Sequence, residues 1–251
     1  MKFKLFASSV CLAAFLLVPV PGLHAQANDA LLQSHAKRVL RGGRFKNIHV
    51  SVQNGTVMLN GTVKYFSDKV DAQKKVKKVD PKAAIENNVQ VNGRNIPDDV
   101  LEQKLTRAIN YSRVGYGTTA FDAIAVQVVG NGVVRLGGYA YWPIDANTAF
   151  DIAASTPGVK DVINQIHIDP PSPLDDRIRR MEYRAIYGYP QLNQYALNPV
   201  KPIRIQVDNG HVTLYGAVDS QSDKEVAGLQ AKGVPGVFSV TNDLQVAGQE
   251  H

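Results

Sequence analysis

The sequence predicts an α+β protein in which one small α-β-β-α-β module occurs three times in tandem. The pattern N-G-x-V-x-L-x-G is present at residues 54–61, 131–138 and 209–216. In each case the glycine of the Asn-Gly pair is followed, 32 residues later, by an asparagine between alternating apolar residues. Recurrence at a fixed spacing indicates a repeated structural unit.

The first residues predict export. Two lysines precede an apolar run at residues 5–20, and small residues follow, which is the layout of a secretory signal peptide. We expect this peptide at residues 1–27, with cleavage after Ala27 or, alternatively, after Ala25. A membrane anchor is the competing interpretation, but the run is short for a bilayer span and prolines interrupt it. The only cysteine, Cys11, lies inside the run, so we expect a soluble periplasmic product without disulfides or lipidation.

The mature chain divides into three predicted domains. They cover residues 28–93, 97–170 and 173–247, called copies 1, 2 and 3, and copy 3 carries a tyrosine- and proline-rich insertion at about 187–202. A domain of this size buries a modest fraction of its surface, so we expect the copies to pack against one another.

Each copy begins with a predicted helix and continues into a hairpin. Apolar residues alternate with polar ones on both sides of every Asn-Gly pair, and this pair supplies the positive backbone angles of a tight turn. One extra residue before Asn131 predicts a bulge or a longer turn in copy 2. The turn glycines are Gly55, Gly132 and Gly210.

A second helix and a third strand complete each copy. A repeated aspartate falls in the first turn of that helix, where negative charge is favourable: Asp68, Asp145 and Asp223. Because a helix connects the second and third strands, these can pair in parallel. Each copy is therefore predicted to be a three-stranded mixed sheet with two helices on one face.

Two further repeated positions are expected to be structural. The glycines ending each pattern are predicted to allow close approach of helix and sheet: Gly61, Gly138 and Gly216. The repeated asparagines share strand parity with apolar neighbours, so we expect buried side chains bonded to backbone, in preference to a ligand-binding role: Asn87, Asn164 and Asn242.

These hairpins, second helices and V-x-N-x-[VIL]-x-[VI] strands resemble the BON domain, a family named for bacterial osmotically inducible periplasmic and nodulation proteins. The resemblance covers nearly the whole mature chain. It implies an envelope protein without enzymatic activity, and it implies binding to anionic phospholipids, as some family members do. This chain lacks the lipidated cysteine of the lipoprotein members.

Positive charge is concentrated in copy 1. Residues 29–92 contain 12 basic and 5 acidic residues, whereas residues 98–170 contain 5 and 8, and residues 173–251 contain 8 and 9. Cations held near an anionic bilayer could give reversible adsorption. The alternative is a solvated lysine-rich helix face. The candidate lipid-binding residues are Lys74, Lys75, Lys77, Lys78, Lys82, Arg41 and Arg44.

The insertion in copy 3 supplies a second hypothesis. Tyr187, Tyr189 and Tyr195 could dock on an envelope protein, because tyrosine offers apolar area with a polar tip. The alternative is that they pack over the sheet or against copy 2. A protein-binding or chaperone-like module, which would use these tyrosines or the exposed sheet faces, is accordingly the alternative to lipid binding.

The sequence contains no recognisable catalytic, metal-binding, cofactor-binding or phosphate-cradling motif, so we expect no enzyme activity, cofactor, metal or small-molecule substrate. The five histidines of the mature chain are scattered over three domains. Predicted export and the absence of a nucleic-acid-binding motif argue against nucleic acid as a partner. The sequence therefore favours a periplasmic protein that supports envelope integrity or osmotic stress tolerance by binding anionic phospholipid or an envelope protein.

Overall fold

The computed structural model describes residues 21–112, 119–197 and 202–248. Most of the predicted signal peptide, residues 1–20, lies outside these described residues. Within them the chain forms three successive units of helix, hairpin, helix and strand, which confirms the predicted α+β class.

Copy 1 shows the module in its simplest form. Its elements are α1 (Pro21–Val39), β1 (Ile48–Gln53), β2 (Thr56–Val63), α2 (Phe66–Val79) and β3 (Ala84–Val91). Strand β2 is central, antiparallel to β1 and parallel to β3. The strand alternation turns Val50, Val57, Leu59 and Val89 into one buried cluster with α1 and α2, and it leaves the opposite sheet face polar.

Copy 2 repeats this topology with an interrupted third strand. Its elements are α3 (Asp98–Ser112), β4 (Ala123–Gly130), β5 (Val133–Ala140), α4 (Pro143–Ser155), β6 (Asp161–Asn164) and β7 (His167–Ile168). The hairpin register shifts between Val128 and Gly130, which confirms the predicted bulge. Both short strands pair in parallel with β5.

Copy 3 adds an extra helix between its first helix and its hairpin. Its elements are α5 (Pro173–Tyr187), α6 (Gln194–Leu197), β8 (Arg204–Asp208), β9 (His211–Tyr215), β10 (Ala217–Val218), α7 (Gln221–Lys232), β11 (Ser239–Asn242) and β12 (Gln245–Val246). Strand β9 is central in the main sheet, with β8 antiparallel and β11 parallel to it. Strands β10 and β12 continue the parallel pairing as a separate two-stranded ladder.

The three hairpin turns have the same backbone conformation. Asn54 and Gly55 both have positive φ, 51° and 74°, and the Asn-Gly pairs of the other two copies repeat these angles closely. Positive φ at both central residues defines the tight turn whose twist suits two antiparallel strands. The predicted hairpins are thereby confirmed.

An acidic residue from the first helix binds the turn in copies 1 and 3. The carboxylate of Asp29 accepts hydrogen bonds from the backbone N–H groups of Asn54 and Gly55, at 2.8 and 2.9 Å. In copy 3, Asp175 accepts from Asn209 and Gly210 at 3.1 and 2.8 Å. The first helix is thus tied to the hairpin by a polar contact as well as by its apolar face.

The copies share parts of their cores, as expected. Phe66 and Val70 of α2 pack into the core of copy 2, where the Phe66 ring meets that of Phe150 edge to face with centroids 6.4 Å apart. Ala120 and Phe121 of copy 2 belong in turn to the core of copy 3. The three modules therefore support one another through buried apolar contacts.

The glycines that end each hairpin pattern have a different role from the predicted one. A Cβ added at Gly61, Gly138 or Gly216 would lie 2.0, 2.0 or 2.4 Å from the carbonyl oxygen of Asn47, Ala123 or Pro202 respectively. Those carbonyls lie at or just before the start of the first strand. The close approach is therefore between the two strands of the hairpin, not between helix and sheet.

This packing predicts that Gly138→Ala lowers the free energy of unfolding by about 3 kcal/mol, because the new side chain would meet backbone at a positive φ. The adjacent Gly137→Ala is the matched control, because a Cβ there has no heavy atom within 4 Å. Urea unfolding followed by circular dichroism measures both variants. Equal stabilities for the two would contradict the assigned contact.

Candidate functional site

The lysines predicted to bind lipid lie on the outer face of α2. Lys74, Lys75, Lys77 and Lys78 are exposed, whereas Ala72 and Val76 of the same helix are fully buried. This pattern follows from the helical period: residues four positions apart, such as Ala72 and Val76, lie on the same inward face, and the lysines between and after them lie in solvent.

The cations of this surface are mostly unpaired. In the stretches of chain that the structure describes, no ion pair involves Lys74, Lys75, Lys78 or Lys82. Two of the lysines have other contacts: the Lys77 ammonium donates to the carbonyl oxygen of Ala83 at 2.9 Å, and the Lys75 ammonium lies 6.0 Å from the centre of the Phe45 ring. The surface therefore presents positive charges that no acid binds within ion-pairing distance.

Arg44 differs from the other predicted residues. Its guanidinium donates to Asp68 at 3.0 Å and to Asp71 at 2.6 Å, and it lies 4.9 Å from the centre of the Phe45 ring. Half of the Arg44 side chain remains exposed, but its charge is offset by two carboxylates. We therefore correct the expectation that Arg44 adds a free cation to the lysine surface.

The predicted residues extend along α2. Arg44 and Lys75 both lie against the Phe45 ring, at 4.9 and 6.0 Å from its centre, whereas Lys78 lies about 10 Å beyond Asp71 at 1.5 Å per residue. Arg41, exposed shortly after the end of α1, belongs with Arg44 in sequence. We call Lys74, Lys75, Lys77, Lys78 and Lys82 the lysine surface.

The tyrosines predicted to dock a partner are largely internal. Tyr187 and Tyr195 are 6% and 2% exposed and belong to the core of copy 3. The Tyr187 hydroxyl donates to the carbonyl oxygen of Ile203, and burial raises the pKa of Tyr187. Tyr189 alone keeps an exposed face, at 38%. We therefore correct the docking hypothesis for Tyr187 and Tyr195, because both side chains are covered by their own domain.

Tyr195 hydrogen-bonds within its own domain. Its hydroxyl donates to Asp223 at 2.7 Å and accepts from the backbone N–H of Asp219 at 2.8 Å, and Gln191 donates to the same carboxylate at 2.6 Å. Burial opposes ionisation of Asp223, but hydrogen bonds from Gln191, Tyr195 and Ser220 lower its pKa below the usual range. Burial raises the pKa of Tyr195 to about 12.

The repeated asparagines connect the third strand to the second helix. Asn87 donates to the carbonyl oxygen of Lys69 at 3.0 Å, and Asn242 donates to that of Lys224 at 2.7 Å. The predicted backbone bonding is confirmed at these positions. Burial is only partial there, and Asn164 is exposed, accepting from the N–H of Ile166 at 3.2 Å.

Sequence reasoning missed a buried charge cluster between copies 2 and 3. Arg179 is 1% exposed and donates to Asp169 at 2.7 Å, to Asp176 at 2.8 Å and to the carbonyl oxygen of Val207 at 2.6 Å. Tyr141 of copy 2 donates to Asp176 at 3.0 Å. The cluster joins the end of copy 2 to the first helix and hairpin of copy 3.

Glu182 is also buried on this helix. Neither of its carboxyl oxygens has a hydrogen-bond partner among the described residues, and burial raises its pKa to about 8. The spacing of Ile178, Glu182 and Ile186 puts all three on one helix face, so this burial was readable from the sequence. Glu182 is therefore protonated in the folded protein at neutral pH.

The described residues hold no group of three potential metal ligands, and none of their helices is long and apolar enough to cross a bilayer.

Three comparisons place the chain among known proteins. A family model described as BON domain matches residues 28–93, 97–170 and 191–248. The third match begins after α5, although α5 occupies the position of a first helix in copy 3.

One curated relative is osmotically-inducible protein Y of Escherichia coli (strain K12). It is 28% identical over 124 residues, which are 45% of this chain and 57% of the relative. The match thus spans little more than half the length of that protein.

Two similar solved structures come from type III secretion systems. CdsD of Chlamydia trachomatis is 16% identical, with a TM-score of 0.23 over 85% of this chain and 90% of that chain. The periplasmic domain of PrgH from S. typhimurium is 8% identical, with a TM-score of 0.18 over 82% and 97%. TM-scores this low carry no argument about this protein.

The raised pKa of Glu182 predicts a pH-dependent stability. The unfolded chain releases this proton near pH 4.5, whereas the folded chain keeps it until about pH 8, so stability declines as pH rises through that window. Glu182→Gln removes the decline. The free energy of unfolding of Glu182→Gln minus that of the parent should therefore be larger at pH 8 than at pH 5.

Urea unfolding at both pH values measures this difference, with the exposed Glu225→Gln on α7 as the control. A difference that is the same at pH 5 and pH 8 would show that Glu182 ionises normally in the folded protein.

Proposed function

The chain belongs to the BON domain family, and from this premise we propose that it is a non-catalytic envelope protein that adsorbs to anionic phospholipid through the lysine surface of copy 1. The name of its curated relative and the predicted signal peptide support a periplasmic role in osmotic stress.

The observation that carries the proposal is the exposure of unpaired lysines on one helix face. Lys74, Lys75 and Lys78 extend from α2 into solvent, and Lys82 follows directly after that helix. Copies 2 and 3 each contain more acidic than basic residues, so the positive potential is confined to copy 1. A polar molecule with one basic end would approach an anionic bilayer by that end.

The expected strength is that of reversible adsorption. A cation near an anionic bilayer contributes about 1 kcal/mol, so three or four lysines together contribute about 3–4 kcal/mol. That energy suffices for a population at the surface that exchanges with the periplasm. The attraction should weaken as salt rises, because exposed charges are screened within about 10 Å at 0.1 M.

The protein-binding alternative has lost most of the support that it drew from the tyrosines. Two of the three tyrosines on which it depended lie in the core of copy 3. Tyr189 remains half exposed, but one aromatic ring offers little area for a stable contact.

Replacing Lys74, Lys75, Lys77 and Lys78 together by glutamine should weaken binding to phosphatidylglycerol vesicles about 100-fold, because most of the free cations are lost. Vesicle sedimentation measures it. The parent should bind vesicles of neutral phosphatidylcholine weakly, and 0.5 M salt should release it from anionic ones.

The matched control removes four exposed cations of copy 3: Arg177→Gln, Arg180→Gln, Arg184→Gln and Lys232→Gln. Its net charge equals that of the lysine variant, so it should keep most of the binding if location matters. Equal loss in both variants would mean that total charge, not the lysine surface, governs adsorption. Unchanged binding in the lysine variant would refute the proposal.

A further inference from the structure

A cleft of about 590 Å³ lies where copy 1 meets copy 2. Its walls are the residues before β1, the end of β2 with the first turn of α2, and Ser155 at the end of α4. This volume is in the range of pockets that hold small ligands. None of the roles described so far occupies it.

The cleft is lined by more positive than negative charge. Arg44, Lys46 and Lys64 face it together with one carboxylate, that of Asp68. Asp68 is already bound by Arg44 at 3.0 Å, so its charge is compensated within the wall. Lys46 and Lys64 remain without an ion pair within the described ranges.

Arg44 is held in place before any ligand arrives. Asp68 and Asp71 fix two of its nitrogens, and the Phe45 ring lies 4.9 Å from the guanidinium carbon. A guanidinium has five N–H donors, so this one keeps donors for another acceptor. Ser67 and Asn92 also line the cleft. The lining therefore offers donors and positive charge to one small anionic group.

The matching corner of copy 3 is closed. There the first-turn carboxylate, Asp223, is bound by Tyr195 and Gln191, and Leu192 and Tyr195 fill the core beside it. The two copies thus bind the equivalent buried carboxylate with different donor groups. Among the described residues of these two corners, that of copy 1 combines an open space with net positive charge, which comes from Lys46 and Lys64 because Asp68 and Asp71 offset Arg44.

We propose that this cleft binds a phosphate group, as a monoester or a diester, between Arg44, Lys46 and Lys64. Guanidinium and ammonium groups form short, charge-assisted hydrogen bonds to phosphate oxygens. This site goes beyond the proposed function, because it recognises one phosphate in a cleft, whereas the lysine surface adsorbs to a charged plane. The phosphate can come from a lipid headgroup or from a free phosphate ester.

Titration of the ¹⁵N-labelled full chain with glycerol 3-phosphate tests the site. Saturable shifts are expected at the amides of residues 44–47 and 64–68. Lys46→Gln combined with Lys64→Gln should weaken the affinity about tenfold or more, because two charge-assisted contacts are lost. Ser155→Phe should also weaken it by filling the cleft without a change of charge, at a position that is exposed.

Lys74→Gln combined with Lys78→Gln is the control of equal charge. It should leave the glycerol 3-phosphate affinity within twofold of the parent, while it weakens vesicle binding. A second titration with dihexanoyl phosphatidylglycerol below its micelle concentration distinguishes the sources: a preference over glycerol 3-phosphate at the same amides identifies a lipid headgroup, and the reverse preference a free ester.

Three results would each overturn the proposal. The shifts could spread over all lysines, the control pair could lose as much affinity as the cleft pair, or Ser155→Phe could bind as tightly as the parent. If the lysine variant binds vesicles as well as the parent does, the proposed function is refuted but the glycerol 3-phosphate titration is unaffected. The two proposals are therefore tested separately.

Discussion

The structure depends on one repeated constraint, a carboxylate buried at the start of the second helix of each copy. Asp68, Asp145 and Asp223 are 3%, 2% and 5% exposed. The helix dipole favours a negative charge in the first turn, but removing that charge from water is costly unless other groups bind it. In copies 1 and 3 the chain before the hairpin brings donors to this corner, and these contacts tie helix, hairpin and loop together.

Copies 1 and 3 meet the requirement with different chemistry. Arg44 pairs with its carboxylates beside an open cleft, whereas Tyr195 and Gln191 bring neutral donors to the corner of copy 3. The copy with the arginine also carries the lysine surface. Copies 2 and 3 are joined by the Arg179 cluster, in which Arg179 and Asp169 are buried and Asp176 is partly exposed. The same module thus forms a positively charged copy 1 and, in copies 2 and 3, a pair of domains joined by buried contacts.

The sequence predicted what local pattern determines. Asn-Gly pairs between alternating apolar and polar residues predicted the hairpins, and the extra residue before Asn131 predicted the bulge. Both predictions succeeded because turn type and strand register depend on neighbouring residues. The sequence left open whether Tyr195 docks on a partner or packs inward, and it did not predict that Arg179 is buried, because their partners, Asp223 and Asp169, are 28 and 10 residues away. The exposure of the α2 lysines followed from helical periodicity, but the pairing of Arg44 required the fold.

The central claim is that copy 1, and not the rest of the chain, meets an anionic membrane through its lysine surface. Paramagnetic relaxation of backbone amides, measured with phosphatidylglycerol vesicles that carry gadolinium-chelating lipid, tests it most directly. The account predicts the strongest broadening at residues 74–82 and little at α7 of copy 3. Broadening centred on copy 2 or copy 3, with residues 74–82 unaffected, would contradict it.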